Sequence, residues 1–351
     1  MSLAETLPEI RPLDRASESV AQERLDSLTK PQGSLGRLEE LARRIAVIQG
    51  LVPPRLGQKL IFVFAADHGI TEEGVSAYPK SVTAQMIHNF LNGGAAINVM
   101  ARQYGVDTEV VDMGVDVDFP HIEGLHQCKV RRGTANFARG PAMTRAQALQ
   151  SIDLGIHLTR EAATKNLFLL GTGDMGIGNT SSATAIFCAL TGIAPAAATG
   201  RGTGIDDVTL ARKIFCIEKG LELNRPEVND PLDVLAKVGG FEIGAITGVI
   251  LAAARFHIPM LLDGLIAGAA ALLAQRFCPE VRDVLFASHV SAEPAHRMML
   301  EELRLAPVLD LRMRLGEGTG ACLLMGLLET AVRIMDEMAT FPSAGIKEKL
   351  P

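Results

Sequence analysis

Short runs of consecutive apolar residues alternate along the chain with longer segments whose apolar residues recur at helical spacing. Continuous apolar runs are typical of strands buried on both faces of a parallel sheet, and the helices between them supply the covering layers. The pattern therefore predicts an α/β fold with a doubly wound, mostly parallel, Rossmann-like sheet of about six strands. The predicted strands are 59–69, 108–116, 166–174, 258–264 and 284–291, with a weaker candidate at 194–200.

Both ends of the chain have the apolar spacing of helices. Residues 18–29 and 35–50 predict two helices joined by a turn, and residues 321–338 predict a long apolar helix. We expect this last helix to pack on the first two. The predicted small helical domain comprises residues 1–56 and 329–351, and the large α/β domain comprises residues 57–328. The segment from His121 to Ala142 is expected to be irregular.

Composition narrows the possible partners. The 351 residues carry a net charge of −6, only 4% are aromatic and none is Trp, which argues against binding to nucleic acid. The longest apolar run, 258–274, contains Asp263 and several Gly and Pro residues, so we expect no membrane span. Five scattered cysteines without a CxxC pair, and an N-terminus without an apolar leader, favour a cytoplasmic location.

Polar residues follow five of the predicted strands. Because the carboxyl ends of parallel strands meet at one edge of a sheet, these side chains are expected to share a site. At any single position, a turn or a helix cap is the more economical explanation. The residues are Asp67-His68-Gly69, Asp112 with Gly114, Gly171 to Asn179, Asp263-Gly264, and Ser288-His289 with Ser291.

The loop after the third of these strands contains a GxGxxG sequence formed by Gly171, Gly173 and Gly176. A dinucleotide-binding fingerprint also requires an acidic residue about 20 positions further on, which holds the ribose hydroxyls. The next acidic residue is Asp206, 30 positions after Gly176. The motif therefore does not predict an NAD or FAD site.

The same loop has the features of a site for one phosphate group. Asn179, Thr180 and Ser181 lie where a helix should begin, and helix N-termini favour anions. A second glycine-rich turn at 200–204, which includes Gly202, precedes a helix that carries Lys213. Two donor-rich turns and a lysine suit a single phosphomonoester.

Glu317 is the candidate general base, since it stands between Gly316 and Gly318, directly before the apolar helix. Small neighbours allow a ligand to approach the carboxylate, and burial beside Leu315 would raise its pKa toward that of a working base. A helix-dipole role for an N-terminal Glu is equally compatible with this position. Asp174 is the second candidate carboxylate. Metal-ligand spacing is absent from the sequence, so neither a metal nor a cofactor is predicted.

Motifs spread over nearly the whole chain resemble the nicotinate-nucleotide–dimethylbenzimidazole phosphoribosyltransferase family. The resemblance implies a doubly wound domain with a small helical domain, a homodimer, and transfer of 5-phosphoribose from nicotinate mononucleotide to 5,6-dimethylbenzimidazole. The motifs, in the family's order, are KPQGSLGRLEELA (30–42), AADHGI (65–70), GDMGIGNTSSA (173–183), KVGGFEIGAITG (237–248), LLDG (261–264), SHVSAE (288–293) and MRLGEGTGA (313–321).

The resemblance also implies roles for individual residues. Glu317 would remove the N–H proton of the benzimidazole as its other nitrogen attacks C1 of the ribose. Asp174 would stabilise positive charge on the reacting sugar or help to position groups around Glu317. The residues expected on the nucleotide and phosphate side are Gly176, Asn179, Thr180, Ser181, Gly202, Lys213, Asp263, Ser291 and Arg314.

Two departures from the family pattern affect these expectations. Asp174 stands where the family often has Glu, which shortens the reach by one methylene. The acceptor-base pocket is expected to include Tyr78, Met86 and Leu315, and the first two stand where benzimidazole-using members have Ser and Gln. We therefore hypothesise that several bases, such as benzimidazole or adenine, are accepted. A nicotinate-nucleotide sensor, an NAD-dependent oxidoreductase and a metal-dependent phosphohydrolase using Asp67 and His68 are the alternative functions.

Overall fold

The computed structural model describes residues 1–202 and 204–347. Six strands in these residues form one sheet in the order β3-β2-β1-β4-β5-β6, and every neighbouring pair is parallel. The strand order reverses between β1 and β4, which is the position where open α/β sheets bind ligands. The strands are β1 Gln58–Ala66, β2 Asp107–Gly114, β3 Leu125–Gln127, β4 Leu167–Met175, β5 Met260–Leu262 and β6 Leu285–Ala287.

Helices cover the sheet in two layers. One layer has α11 packed across β1, β2 and β4, with α6 and α12 beside it; the other has α14 across β1, β4 and β5, with α3 and α5 beside it. The α-helices are α1 Leu3–Thr6, α2 Ala16–Asp26, α3 Arg37–Gln49, α4 Val82–Leu91, α5 Ala96–Tyr104, α6 Arg145–Ala163, α7 Asn179–Thr191, α8 Pro195–Ala198, α9 Asp207–Asn224, α10 Pro231–Val238, α11 Phe241–Arg255, α12 Leu265–Phe277, α13 Pro294–Glu302, α14 Thr319–Glu337 and α15 Phe341–Ala344. Short 3₁₀ helices occupy Leu7–Glu9, Gly69–Glu73 and Pro279–Val284.

The predicted parallel sheet is confirmed, and two local predictions are wrong. Residues 194–200 contain helix α8 rather than a strand, because Pro195 fits the first turn of a helix and alanine has the highest helix propensity. The segment expected to be irregular contains β3, a three-residue strand at the edge of the sheet. Its sequence, Leu-His-Gln, offers one apolar residue and so gives no strand pattern.

The two ends of the chain pack together. The Arg24 guanidinium donates hydrogen bonds to the carbonyl oxygens of Met335 and Met338, and the Thr29 N–H donates to that of Ala339. Helix α14 also packs on α3, as expected. Helix α14 contacts both the sheet and the N-terminal helix α3, and it runs without interruption through residue 329. The division into domains at residues 56 and 329 stays a prediction.

None of the helices in the described residues combines the length and apolar composition needed to cross a membrane.

Candidate active site

A cleft opens at the carboxyl ends of β4, β5 and β6. It continues into a smaller cavity that adds Val75, Ser76, Gly178, Arg201, Ile205 and Lys213 to the walls. The two spaces share the loop after β4 and Gly202. The cleft itself is lined by Asp174, Met175, Gly176, Ile177, Asn179, Thr180, Gly202, Gly264, Leu265, Ile266, His289, Ser291, Glu293, Arg314, Leu315 and Gly316.

Glu317 lies directly beyond this lining, in a backbone conformation that few residues adopt. Its φ is +63°, and the flanking Gly316 and Gly318 have φ of +85° and +88°. Three successive residues in the left-handed region form a tight loop before α14, and strain at a non-glycine residue of this kind concentrates at functional sites. Glycines on both sides make the loop possible, since they adopt this conformation without steric cost.

The carboxylate of Glu317 is nearly buried, with 5% of the residue exposed. Its Oε2 accepts a hydrogen bond of 3.3 Å from the N–H of Ile97, in the first turn of α5. Burial raises the pKa of Glu317, and the Asp263 carboxylate raises it further, whereas the Ile97 N–H opposes the shift. The result is a carboxylate that accepts a proton more readily than an exposed glutamate does.

Asp263, at the end of β5, holds the loop that presents Glu317. Its Oδ2 accepts from the N–H of Gly318 at 3.1 Å, and its Oδ1 accepts from those of Gly320 at 2.7 Å and Ala321 at 3.3 Å. These N–H groups belong to the N-terminus of α14, where an anion is stabilised by the helix dipole. Both oxygens of the buried carboxylate are thus engaged by protein, which makes Asp263 a positioning residue in this structure.

The first two glycines of the GxGxxG sequence bring β4 close to the same helix. A Cβ atom on Gly173 would overlap the carbonyl group of Glu317, and one on Gly171 would lie 3.2 Å from the side chains of Ala321 and Met325. A Cβ on Gly176 would overlap the carbonyl oxygen of Ala66 at the end of β1. These glycines therefore permit close backbone packing, and Gly173 does so at the candidate base itself.

Asp174 lies in the cleft wall between the glycine-rich loop and the Glu317 loop. Its Oδ2 accepts a 2.8 Å hydrogen bond from the side-chain amide of Asn179, and its carbonyl oxygen accepts from the N–H of Glu317 at 3.3 Å. Burial raises the pKa of Asp174 well above its usual value, and the nearby carboxylates of Asp263, Glu242 and Glu317 add to the effect.

Lys213, Thr180 and Gly202 converge on the smaller cavity. The Lys213 Nζ donates to the Thr180 Oγ1 at 2.8 Å and to the Gly200 carbonyl oxygen at 3.2 Å. The residue is 1% exposed, and burial lowers its pKa to about 8, although the Glu293 carboxylate opposes this shift. Arg314 reaches the same loop, because its Nη1 donates to the Gly202 carbonyl oxygen at 2.7 Å. The arrangement is a cationic end of the cleft.

Glu293 is a site residue that the sequence analysis did not single out, although it belongs to the quoted SHVSAE segment. Its Oε1 accepts from the N–H of Gly202 at 2.9 Å, and Ser291 precedes it in the cleft wall. Its Oε2 is buried and has no hydrogen-bond partner among residues 1–202 and 204–347. A carboxylate oxygen without a partner beside a cleft is suited to accept hydrogen bonds from hydroxyl groups of a ligand.

Comparisons with known proteins agree with this geometry. A profile of the phosphoribosyltransferase family matches residues 10–346. A protein of Geobacter sulfurreducens named nicotinate-nucleotide–dimethylbenzimidazole phosphoribosyltransferase is 55% identical over 346 residues, covering 99% of this chain and 98% of its own length. The chain belongs to the nicotinate-nucleotide–dimethylbenzimidazole phosphoribosyltransferase family. A protein of the same name from Roseiflexus sp. is 53% identical and covers 99% of both chains.

A solved member of this family has the same fold. The crystal structure of the enzyme of that name from Thermus thermophilus is 46% identical, with a TM-score of 0.90. It covers 96% of this chain and 100% of the solved chain. The fold class and the family inferred from sequence motifs are therefore confirmed.

Most residues that the family resemblance places on the nucleotide side line the cleft or its smaller cavity. Ser181 and Asp263 do not: the Ser181 hydroxyl is buried inside the fold, and Asp263 is engaged by α14. A phosphate-binding role for these two side chains stays a prediction, which their surroundings do not favour.

The residues expected in the acceptor pocket are less closely grouped. Leu315 lines the cleft and is 58% exposed, whereas Tyr78 is 52% exposed and outside its lining. Met86 is half-buried on α4, one turn after Thr83, whose Oγ1 accepts from the N–H of Ile177 at 3.2 Å. Residues three apart share a helix face, so Met86 is on the face of α4 toward the glycine-rich loop.

Polar residues after β1 and β2 are engaged in the fold. The His68 ring contacts the Glu242 carboxylate at 2.7 Å and the Ser182 hydroxyl at 3.0 Å, and all three side chains are buried. Asp112 accepts from the N–H groups of Gly114 and Val115. The alternative of a metal-dependent hydrolase that uses His68 has no support, because both ring nitrogens already have protein partners.

Gly173→Ala tests whether close packing at this glycine places Glu317. The added Cβ has no room beside the Glu317 carbonyl, so the loop must move and we expect kcat to fall at least about 100-fold, the effect of misplacing a catalytic group by about 1 Å. Gly140→Ala, in the loop before α6, is the control, because a Cβ there meets nothing within 4 Å and its φ lies outside the left-handed region. Steady-state kinetics measure the effect. An unchanged kcat in Gly173→Ala would contradict this account of the motif.

Proposed function

We propose that this chain transfers 5-phosphoribose from nicotinate mononucleotide to 5,6-dimethylbenzimidazole, giving α-ribazole 5′-phosphate and nicotinate. The observation that carries the proposal is the nearly buried carboxylate of Glu317, held on a tight left-handed loop beside a cleft whose other end is cationic. The relatives' names, which specify nicotinate nucleotide and dimethylbenzimidazole, support these substrates over adenine as the acceptor.

The chemistry of the donor explains why one base is enough. The nicotinate leaving group is attached through a pyridinium nitrogen, so it departs as a neutral ring nitrogen without first receiving a proton. The acceptor base carries an N–H proton that must leave as its other nitrogen bonds to C1 of the ribose. We assign removal of this proton to Glu317, whose pKa is raised by burial. Attack opposite the leaving group inverts C1 and yields the α product.

The donor phosphate is assigned to the smaller cavity, near Thr180, Gly202 and Lys213. The first turn of α7, which begins at Asn179, adds N–H groups and the positive end of a helix dipole. With the phosphate there, the ribose lies toward Asp174, Ser291 and Glu293 in the adjoining cleft. Asp174 then stabilises positive charge on the reacting sugar, although its raised pKa reduces its charge at lower pH.

One assay tests the proposed function directly. The protein is incubated with nicotinate mononucleotide and, separately, dimethylbenzimidazole, benzimidazole or adenine, and nicotinate release and ribosylated products are followed by chromatography. With dimethylbenzimidazole, we expect the ribosylated base and nicotinate to form in equal amounts. The base loses its N–H proton in the same reaction. Binding without nicotinate release would favour a nucleotide sensor and overturn the proposal. Reaction with a single base only would refute the hypothesis of broad acceptor use.

Lys213→Met is expected to raise the KM for nicotinate mononucleotide by about 10-fold or more, since a charge-assisted hydrogen bond contributes roughly 1.5–3 kcal/mol. The wild-type kcat/KM should also fall as pH rises through about 8, where Lys213 loses its charge. Initial rates across pH 6.5–9.5 measure both effects. Lys165→Met, at an exposed position between α6 and β4, should change neither. A retained decline above pH 8 in Lys213→Met would show that another group is responsible.

We also propose that the chain forms a homodimer and is located in the cytoplasm, as the family resemblance implies. Val208, Phe215 and Leu223 support a self-association surface, since these exposed apolar residues share one face of α9. Sedimentation velocity at micromolar concentration is expected to give the mass of two chains, and a single-chain mass would contradict the dimer.

A further inference from the structure

A groove of about 390 Å³ lies at the opposite end of β6 from the cleft. Its walls come from α2, α3, the 3₁₀ helix that precedes β6, and the segment that follows α13. Arg282 and Asp283 in the groove wall precede the amino end of β6. Ser291 in the cleft wall follows the carboxyl end of the same strand. We call this space the arginine groove, after the residues Arg15, Arg37, Arg43, Arg44, Arg282 and Arg304 that line it.

Positive charge in the arginine groove is only partly neutralised. The lining includes three carboxylates, Glu18, Glu40 and Asp283, so arginines exceed them by three in a chain whose net charge is −6. Arg282 and Arg304 are exposed and have no carboxylate within 4.0 Å in the part of the chain that the structure describes. Like charges held together without partners repel one another, and a bound anion would relieve this repulsion.

Arg44 forms the fixed inner wall of the groove. Its guanidinium lies 4.2 Å from the centre of the Phe286 ring and donates to the Leu285 carbonyl oxygen at 2.7 Å. Burial lowers the pKa of Arg44, and the positive charges of Arg37 and Arg282 lower it further, against the opposing carboxylates of Glu40 and Asp283. Arg37 is also held, because its Nη2 donates to the Ala306 carbonyl oxygen at 3.0 Å. Two guanidinium groups are therefore positioned before any ligand binds.

We propose that the arginine groove is a second ligand site, which binds a small molecule bearing a diphosphate or triphosphate group. Guanidinium groups bind phosphate oxygens through paired N–H donors, and none of the cationic side chains in the lining is a lysine. A concave space of this volume falls within the range of small-molecule sites, whereas a macromolecular partner requires a broader surface. The proposal does not depend on the function assigned to the cleft.

The test is isothermal titration of the full-length protein with inorganic pyrophosphate at constant ionic strength. We expect one site per chain in the groove, with affinity reduced at least 10-fold in Arg282→Gln/Arg304→Gln and unchanged in Arg160→Gln, an exposed arginine on α6. Because Arg282 and Arg304 are exposed and outside the ion pairs of the described residues, the double variant should fold, which thermal melting without ligand verifies.

Lys213→Met separates this site from the cleft. Pyrophosphate binding that survives in Lys213→Met and is lost in the double arginine variant supports the proposal. Binding that is lost only in Lys213→Met would place the anion in the cleft and overturn it. Equal binding by the wild type and the double variant, equal affinity for sulfate and pyrophosphate, or binding of a poly-glutamate peptide but not of pyrophosphate would also overturn it.

Discussion

Glu317→Gln is expected to lower kcat for phosphoribosyl transfer by about 100- to 10,000-fold, the range for loss of a general base. The amide matches the carboxylate in size and can still accept from the Ile97 N–H, so the loop before α14 should keep its conformation. The KM for nicotinate mononucleotide should change little, because the assigned phosphate contacts lie at the other end of the cleft. Nicotinate release measures the effect, and Glu337→Gln, exposed on the same helix, is the control.

The pH dependence provides a second test of the same assignment. Burial raises the pKa of Glu317, so the wild-type rate should fall as pH decreases through this raised value, because the protonated carboxyl cannot accept the acceptor's proton. The residual rate of Glu317→Gln should lack the part of this decline that Glu317 causes, and a decline that remains is assigned to Asp174, whose pKa is also raised. A variant that keeps the full wild-type rate would remove Glu317 from the role of base.

The central strands were predictable because burial on both faces requires long apolar sequences. Residues 60–66 of β1 are all buried, and the sequence there is continuously apolar. The predictions at 258–264 and 284–291 were longer than the three-residue strands β5 and β6, because the chain remains buried after each strand ends. Strand β3 could not be predicted in this way, because it is a three-residue edge strand in which only Leu125 is buried, so its sequence contains no apolar run.

The parts of the site that sequence could reveal are those where side-chain identity carries the signal. Glu317 between two glycines and the donors around Thr180 are of this kind. The hydrogen bond to Glu317 from the N–H of Ile97 uses a backbone donor at the start of α5. Because almost any residue could supply that donor, the sequence does not predict the contact. Asp263 positions the start of α14, which lies 56 residues later in the chain. A local sequence motif cannot predict a contact between segments this far apart.

The GxGxxG sequence shows why a motif needs its structural context. In dinucleotide-binding folds, the second glycine allows the backbone to approach a pyrophosphate. Here Gly173 faces the backbone of Glu317, and the space that its missing Cβ leaves is filled by protein. The absence of a ribose-binding acid in the sequence excluded the dinucleotide interpretation, but only the fold identifies what the glycine accommodates.

Asp263→Ala is expected to reduce the free energy of unfolding by about 3 kcal/mol or more, since three buried N–H groups lose a charged acceptor. Asp263→Asn should have a smaller effect on stability. Its amide oxygen can replace Oδ1 and accept from Gly320 and Ala321, but its NH₂ group would face the N–H of Gly318, beside Glu317. Urea denaturation measures both losses, and Asp310→Ala, at an exposed position, is the control.

Asp263→Asn separates an effect on Glu317 from a general loss of structure. Because the negative charge of Asp263 raises the pKa of Glu317, its removal should shift the acidic decline of the rate to lower pH. Loss of the Gly318 hydrogen bond should also lower kcat by roughly 10- to 100-fold, with little change in the KM for the donor. A structural defect alone would reduce the amount of active protein without moving the pH profile. An unmoved profile in a folded Asp263→Asn enzyme would therefore confine Asp263 to stabilising the start of α14.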